Sequence, residues 1–262
     1  MRSVRWYWKR LQVMRPAELG WRVLEAVRLR RLRSQVAAGS LARKYAGLDY
    51  RRLEFCTSAE SQLPELPFTF APGEADVAYW LTGRWNALGS AWCWADDPVV
   101  WHRAPDTGKH WPRQFFGSIP YREGNPYGDA RVVWEPGRLQ QLVTLALVAR
   151  NDSEARQRAV ELIARQLLSW VEGNAVGCGI HYVSAMECAL RLISVAVALD
   201  LVREDMLTRA GALQCCAQII ASHADLIAER LSLYSSAGNH TIAEGAGLGF
   251  AGLLLPELPS AA

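Results

Sequence analysis

The chain has no apolar run approaching the roughly 20 residues that a membrane-crossing helix needs, so the expectation is a soluble or at most peripherally attached protein. It also lacks an uninterrupted apolar stretch behind its first positive residues, because further arginines arrive before one builds up, and no export signal is recognisable. Its six cysteines, Cys56, Cys93, Cys178, Cys188, Cys215 and Cys216, show no CxxC spacing, and two of them are adjacent. That pattern suits neither a zinc site nor a disulfide framework, and the six are read as buried thiols. A net charge of +3 over 262 residues gives no general argument for nucleic acid, although a basic surface attracts polyanions. No strict internal repeat is present, which argues against a TPR or HEAT solenoid.

What is present is a chain 50% hydrophobic and 21% charged, enough for one large core, and a single extended domain is favoured. Three stretches differ in character. Residues 1–48 form a basic amphipathic helical segment, in which Arg15, Arg22, Arg28, Arg30, Arg31 and Arg33 alternate with Trp21, Val23, Leu24, Val27 and Leu29. Such a segment suits a solvated helix face, peripheral contact with an anionic membrane surface, or the holding of a polyanion. Pro16 is expected to open its second half, since proline is tolerated in a first helical turn. Residues 49–135 are a loop-rich segment, broken by prolines from Pro64 to Pro126, and hold Trp80, Trp85, Trp92, Trp94, Trp101, Trp111 and Trp134. These rings either fill the core of irregular segments or stack on sugars beside His102, His110, Lys109, Arg113 and Arg122.

From 136 to 262 the periodicity turns helical. One helix is expected from Leu139 to Ala149, and a second from an N-cap at Ser153 to Gly173. A third starts near Ser184 and reaches Leu201, a fourth runs from Asp205 to about Leu231, and a fifth from Asn239 to Pro256. Short connections make consecutive helices antiparallel, which gives a helical array that can close into a toroid.

Three local clusters could carry chemistry. His181 and Tyr182 lie between two helices, where binding groups on a helical scaffold are often found. Glu187 and Arg191 stand one turn apart and suit a structural ion pair. The turn Tyr234-Ser235-Ser236-Ala237-Gly238 leads into Asn239 and His240, followed by Glu244, at the start of an Ala/Gly-rich helix. Asn239 there is either a helix cap or a functional amide.

Taken in order, Trp134-Glu135, Gly179-Ile180-His181-Tyr182 with Glu187 and Ala189-Leu190-Arg191, and Tyr234-Ser235-Ser236 with Asn239-His240 and Glu244 resemble the N-terminal helical domain of the heparinase II/III-like polysaccharide lyases, including alginate lyases. The likeness is clearest from about residue 128 onward. The N-terminal basic stretch and the Trp85-Asn86 region also look like members found near exopolysaccharide genes. The resemblance implies a mainly α fold, an incomplete α/α toroid, with a C-terminal β-sandwich for which the chain stops too early after Pro259. It implies that Asn239 and His240 are catalytic, with Asn239 neutralising a uronate carboxylate and His240 a base or an orienting group. His181, Tyr182, Trp134, Glu187, Arg191 and Tyr234 are the matching substrate-binding candidates, and the partner is an acidic polysaccharide. The family's acid and base tyrosine is expected beyond residue 262. Gly137 stands where many relatives carry Asn, and Tyr182 replaces a common Trp. No metal or other cofactor is called for by the residues. The missing export signal points to the cytoplasm, the resemblance to the cell envelope.

Two other classes compete. One is a non-catalytic carbohydrate-binding protein in exopolysaccharide assembly. The other is a glycoside hydrolase on an α/α toroid, which needs two carboxylates across a cleft; Asp96, Asp97 and Glu135 are the carboxylates available in the loop-rich stretch.

Overall fold

The computed structural model describes residues 14–55, 68–94, 97–234 and 237–260. Pro16 is the first residue of helix α1 (Pro16–Ala37), as its fixed φ and missing N–H favour. Gly39 separates α1 from α2 (Ser40–Ala46). Leu32 is buried and Leu29 and Val36 pack on the core, so α1 lies along the molecule by one face.

The Pro/Trp-rich stretch is irregular, as its breakers require, but it holds one helix that its composition hid, α3 (Glu74–Leu81). Strands β1 (Arg84–Ala87) and β2 (Ser90–Cys93) pair antiparallel, with Trp85 opposite Trp92. Leu88 and Gly89 join them at positive φ, the geometry of the tight turns that match strand twist. Of the two readings of the tryptophans, core filling prevails. Trp85, Trp92, Trp94, Trp101, Trp111 and Trp170 are buried, and only Trp21, Trp80 and Trp134 among the described indoles keep partial exposure. The physical reason is economy of volume: short turns offer few apolar side chains each, and an indole fills what a helix face fills elsewhere.

The rest of the chain is a two-layered helical assembly. It comprises α4 (Ala130–Gly137), α5 (Gln140–Asn151), α6 (Arg156–Gly173), α7 (Ala185–Leu201), α8 (Arg203–Leu207), α9 (Ala210–Ala228) and α10 (Asn239–Leu254). The helix expected from Asp205 is divided, and the one expected from Leu139 is preceded by a separate helix, α4. Leu139 at φ +58 breaks the chain between α4 and α5, and the turn at Thr208–Arg209 separates α8 from α9. Asp152 rather than Ser153 prepares α6, accepting from the N–H groups of Glu154 and Ala155.

Contacts between named residues fix the helix directions. Gln141, at the start of α5, donates to Gln166 late in α6, so these two are antiparallel. Arg191 early in α7 lies over Trp170 late in α6 and donates to His223 late in α9, so α7 opposes both. Gly247 of α10 meets Ala189 of α7 and Ile227 of α9, close enough that a Cβ would fall 2.9 Å from the Ala189 Cβ. Helices α5, α7 and α10 therefore pack side by side with their N-termini at one end, while α6 and α9 lie behind them. The core runs between the layers, through Leu142, Leu145, Ile163, Leu167, Leu192, Val195, Ile220 and Ile227.

Among the described residues no helix is long and apolar enough to cross a membrane. The thiols divide. Cys188, Cys215 and Cys216 are buried, and burial pushes the Cys215 pKa up to about 11. Cys93, by contrast, is exposed on the hairpin and Cys178 is half-buried. Cys56 lies outside the described residues.

Candidate functional site

The end of the assembly where α5, α7 and α10 begin collects most of the polar residues singled out in the sequence. Arg138 follows α4 directly, and the left-handed turn at Leu139 that starts α5 leaves it between the two helices. Its guanidinium donates to both oxygens of Glu187, from Nε at 2.8 Å and Nη2 at 2.9 Å, and its Nη1 binds Glu135. Hydrogen bonding to Glu187 raises the Arg138 pKa despite the opposing cost of burial. A fork of this kind adds geometric definition as well as energy. The i to i+4 pair of Glu187 with Arg191 does not form, because Arg138 takes the whole carboxylate.

Arg191 turns inward instead. It is fully buried, and its Nε donates to the Gly137 carbonyl at 2.5 Å, Nη2 to the His181 carbonyl at 3.2 Å and Nη1 to His223 Nε2 at 2.7 Å. Its charge lies 4.3 Å above the Trp170 ring. Burial lowers its pKa. This one side chain ties α4, the 180–182 turn and α9 together.

His181 is also fully buried. Its Nε2 donates to the Trp101 carbonyl at 2.6 Å, and its ring packs against Trp170 and His102. Burial, then the nearby Arg191 charge, hold its pKa well below the usual imidazole range, so it is neutral. A Cβ at residue 137 would fall 2.2 Å from His181 Nδ1. The imidazole occupies the space a side chain at 137 would need, which accounts for glycine at that position. Tyr182 is buried too, donating to the Asn174 carbonyl at 3.1 Å, and burial pushes its phenol pKa up. His181, Tyr182, Glu187 and Arg191 thus form a closed layer beneath the surface, and a ligand at that surface would feel them through the backbone they position.

The other candidates lie outside that layer. Trp134 is half-buried and donates from Nε1 to the Ile180 carbonyl at 2.9 Å. Tyr234 is exposed, with its ring centroid 6.3 Å from that of Trp21, and Ser235 and Ser236 lie outside the described residues. Gly238, at φ +99, makes the turn that starts α10. Asn239 is the first residue of that helix and is exposed. It is not the cap, and its amide makes no hydrogen bond among the described residues. His240 follows, half-buried. The turn before them is anchored from inside the helix: buried Glu244 accepts from the Ser232 N–H at 2.7 Å and hydroxyl at 2.8 Å. Arg230, donating to the Tyr182 carbonyl at 2.7 Å, links that turn to the buried layer.

A hollow of about 420 Å³ opens at the same end, between α3, the hairpin and the start of α5. Tyr79, Trp80, Trp85, Asn86, Glu135 and Gln140 line it. Trp80 continues an aromatic row from Phe70 to Trp85. Of the carboxylates a hydrolase would need, Glu135 is held by Arg138 and Asp97 caps the turn at Pro98–His102 through the Val99 N–H, while Asp96 lies outside the described residues. Arg138, His223 and Gln140 were not singled out in the sequence, whereas His102, named there beside the tryptophans, is buried and its pKa is lowered by burial to about 4. Only Arg138, three residues after Glu135, had a readable spacing; His102 lies 71 residues from its partner Gly173, and His223 lies 32 residues from Arg191.

No protein-family model matches this chain, and no curated protein or solved structure is significantly similar to it.

Proposed function

We propose that this chain is the helical part of a polysaccharide lyase that cleaves a uronate-containing polymer by β-elimination, with its helices arranged as part of an α/α toroid. The observation that carries the reading is the free, exposed amide of Asn239 on a glycine turn, at the end where α5, α7 and α10 all begin. Three parallel helix N-termini at one end favour an anionic group there. The packing of alternate helices as neighbours, α5 on α7 and α7 on α10 with α6 and α9 behind, supports the toroid.

In this reading the Asn239 amide hydrogen-bonds the uronate carboxylate, on which charge grows as the C5 proton leaves. A base takes that proton, the C4–O bond breaks, and an acid protonates the departing oxygen, leaving a C4=C5 double bond on the new end. His240 is the nearest candidate base in sequence. Arg138, held from beneath by the buried Glu187, defines the neighbouring surface without entering the chemistry.

The test is ultraviolet absorbance of unsaturated uronate products during incubation with alginate, heparan sulfate, hyaluronan and a bacterial exopolysaccharide. Product is expected with at least one polymer, and Asn239→Ala is expected to lose it with an unchanged circular dichroism spectrum. Full activity in Asn239→Ala would remove the amide from the mechanism. The second reading, carbohydrate binding without turnover in exopolysaccharide assembly, is favoured by the hollow beside Trp80. It predicts retention on a polysaccharide column that Trp80→Ala weakens, with no unsaturated product.

A further inference from the structure

Helix α1 holds the molecule by one face, and among the described residues its other face is exposed. On the inner side Leu32 is buried, and Arg28 donates to the Glu229 carbonyl at 3.2 Å. The two acidic residues of the helix, Glu18 and Glu25, both pair with Arg22. On the outer side four large apolar residues are exposed within nine positions: Leu19 at 46%, Val23 at 59%, Leu24 at 43% and Val27 at 55%. Leu19, Val23 and Val27 recur every four residues and form one stripe. Exposed Arg30, Arg31 and Arg33 continue the outer surface where the stripe ends.

Scattered exposed apolar residues need no explanation, but a contiguous stripe marks a surface that meets something. The chemistry of the surroundings says what. From Met1 to Arg33 the sequence carries ten basic residues against two acidic ones, in a chain whose net charge is only +3, so everything after Arg33 is net negative. A polyanion such as a polysaccharide would pair with the arginines and gain nothing from Leu19, Val23, Leu24 and Val27. An anionic bilayer surface gains from both, since apolar side chains enter the acyl boundary while arginines meet headgroup phosphates. A second copy of the same helix would set like charges against each other.

We propose that α1 lies flat on an anionic lipid surface, with Leu19, Val23, Leu24 and Val27 at the acyl boundary and Arg30, Arg31 and Arg33 on the headgroups. This is independent of the lyase reading, because the surface is remote in sequence from the residues assigned to elimination and needs none of them.

The test is co-sedimentation of the full chain with phosphatidylcholine vesicles, with and without phosphatidylglycerol. Binding is expected only with the anionic lipid, and weakening as salt is raised. The triple variant Leu19→Ser/Val23→Ser/Val27→Ser changes exposed positions alone and is expected to bind at least about tenfold more weakly. Arg30→Gln/Arg31→Gln/Arg33→Gln is expected to lose about a hundredfold. The proposal is overturned if wild-type protein stays in the supernatant with both vesicles. It is equally overturned if the serine variant binds as tightly as wild type, which would mean simple attraction to a polyanion. A dimer on gel filtration that the serine variant abolishes, with no vesicle binding, would assign the stripe to a second copy instead.

Discussion

Arg191 carries a guanidinium inside the protein with two backbone carbonyls, one imidazole and an aromatic face as its partners, and no carboxylate bonded to it. An interior charge held this way is costly to disturb, since each partner is left buried and unpaired when it goes. Arg191→Met, similar in length and uncharged, is expected to lower stability by about 3 kcal/mol or more, measured by urea unfolding. Gly137 is the other residue on which this region turns. A methyl group there would fall 2.2 Å from His181 Nδ1 and must push the ring or the α4 backbone. Gly137→Ala is expected to cost about 1–3 kcal/mol as an overpacked site. Because the clash is with one ring, the cost should shrink sharply in a His181→Ala background. A double-mutant cycle measures that coupling, and additive effects of the two changes would show that the strain lies elsewhere.

At the scale of elements, helices α7 and α10 meet where Gly247 faces Ala189, and their close approach depends on both being small. Gly247→Leu is expected to cost about 3 kcal/mol and to part α10 from α7, read as a drop in melting temperature with increased proteolysis near residues 231–238. Much of this helical layer was legible in the sequence. Apolar residues at helical spacing located α6, α7 and α10, and Pro16 marked the start of α1. The breaks were not legible. Leu139 continues the apolar periodicity while its backbone turns left-handed, so α4 and α5 read as loop and helix rather than as two helices. Helix α3 was hidden because Glu74–Leu81 lies among prolines and glycines, and eight residues are too few for periodicity to speak. Candidate residues fared in the same way. The sequence pointed to His181, Tyr182, Glu187 and Arg191, which the fold brings together with Trp134 and Arg138. It could not say that the first four are interior. Burial is decided by partners such as His102, Trp101 and His223, which arrive from distant segments.

On the scale of the whole molecule, three imidazoles lie inside one end of it, and all three must stay neutral. Burial depresses His102 to about 4, and burial followed by the Arg191 charge holds His181 and His223 well below the ordinary value. His223 is the most constrained, since it accepts from Arg191 through Nε2 and its protonation would break that bond and set two cations side by side. In each case the folded pKa lies below the unfolded one, near 6.5. The unfolded chain therefore takes up protons first as pH falls. The contribution of these groups is complete above about pH 6.5 and drains away below it, as far as about pH 4 for His102 and lower for the other two. His102 alone accounts for about 3 kcal/mol over that window. Urea midpoints measured from pH 7.5 to pH 4.5 are expected to fall steeply below 6.5, and His102→Gln should flatten the upper part of the slope. Because Arg191 joins the histidines to α4 and the 180–182 turn, acid should loosen that end first. Hydrogen exchange at Ile180–Tyr182 is therefore expected to accelerate before exchange in the middle of α6 and α9. Uniform acceleration across all helices would mean that the buried imidazoles do not govern the acid response.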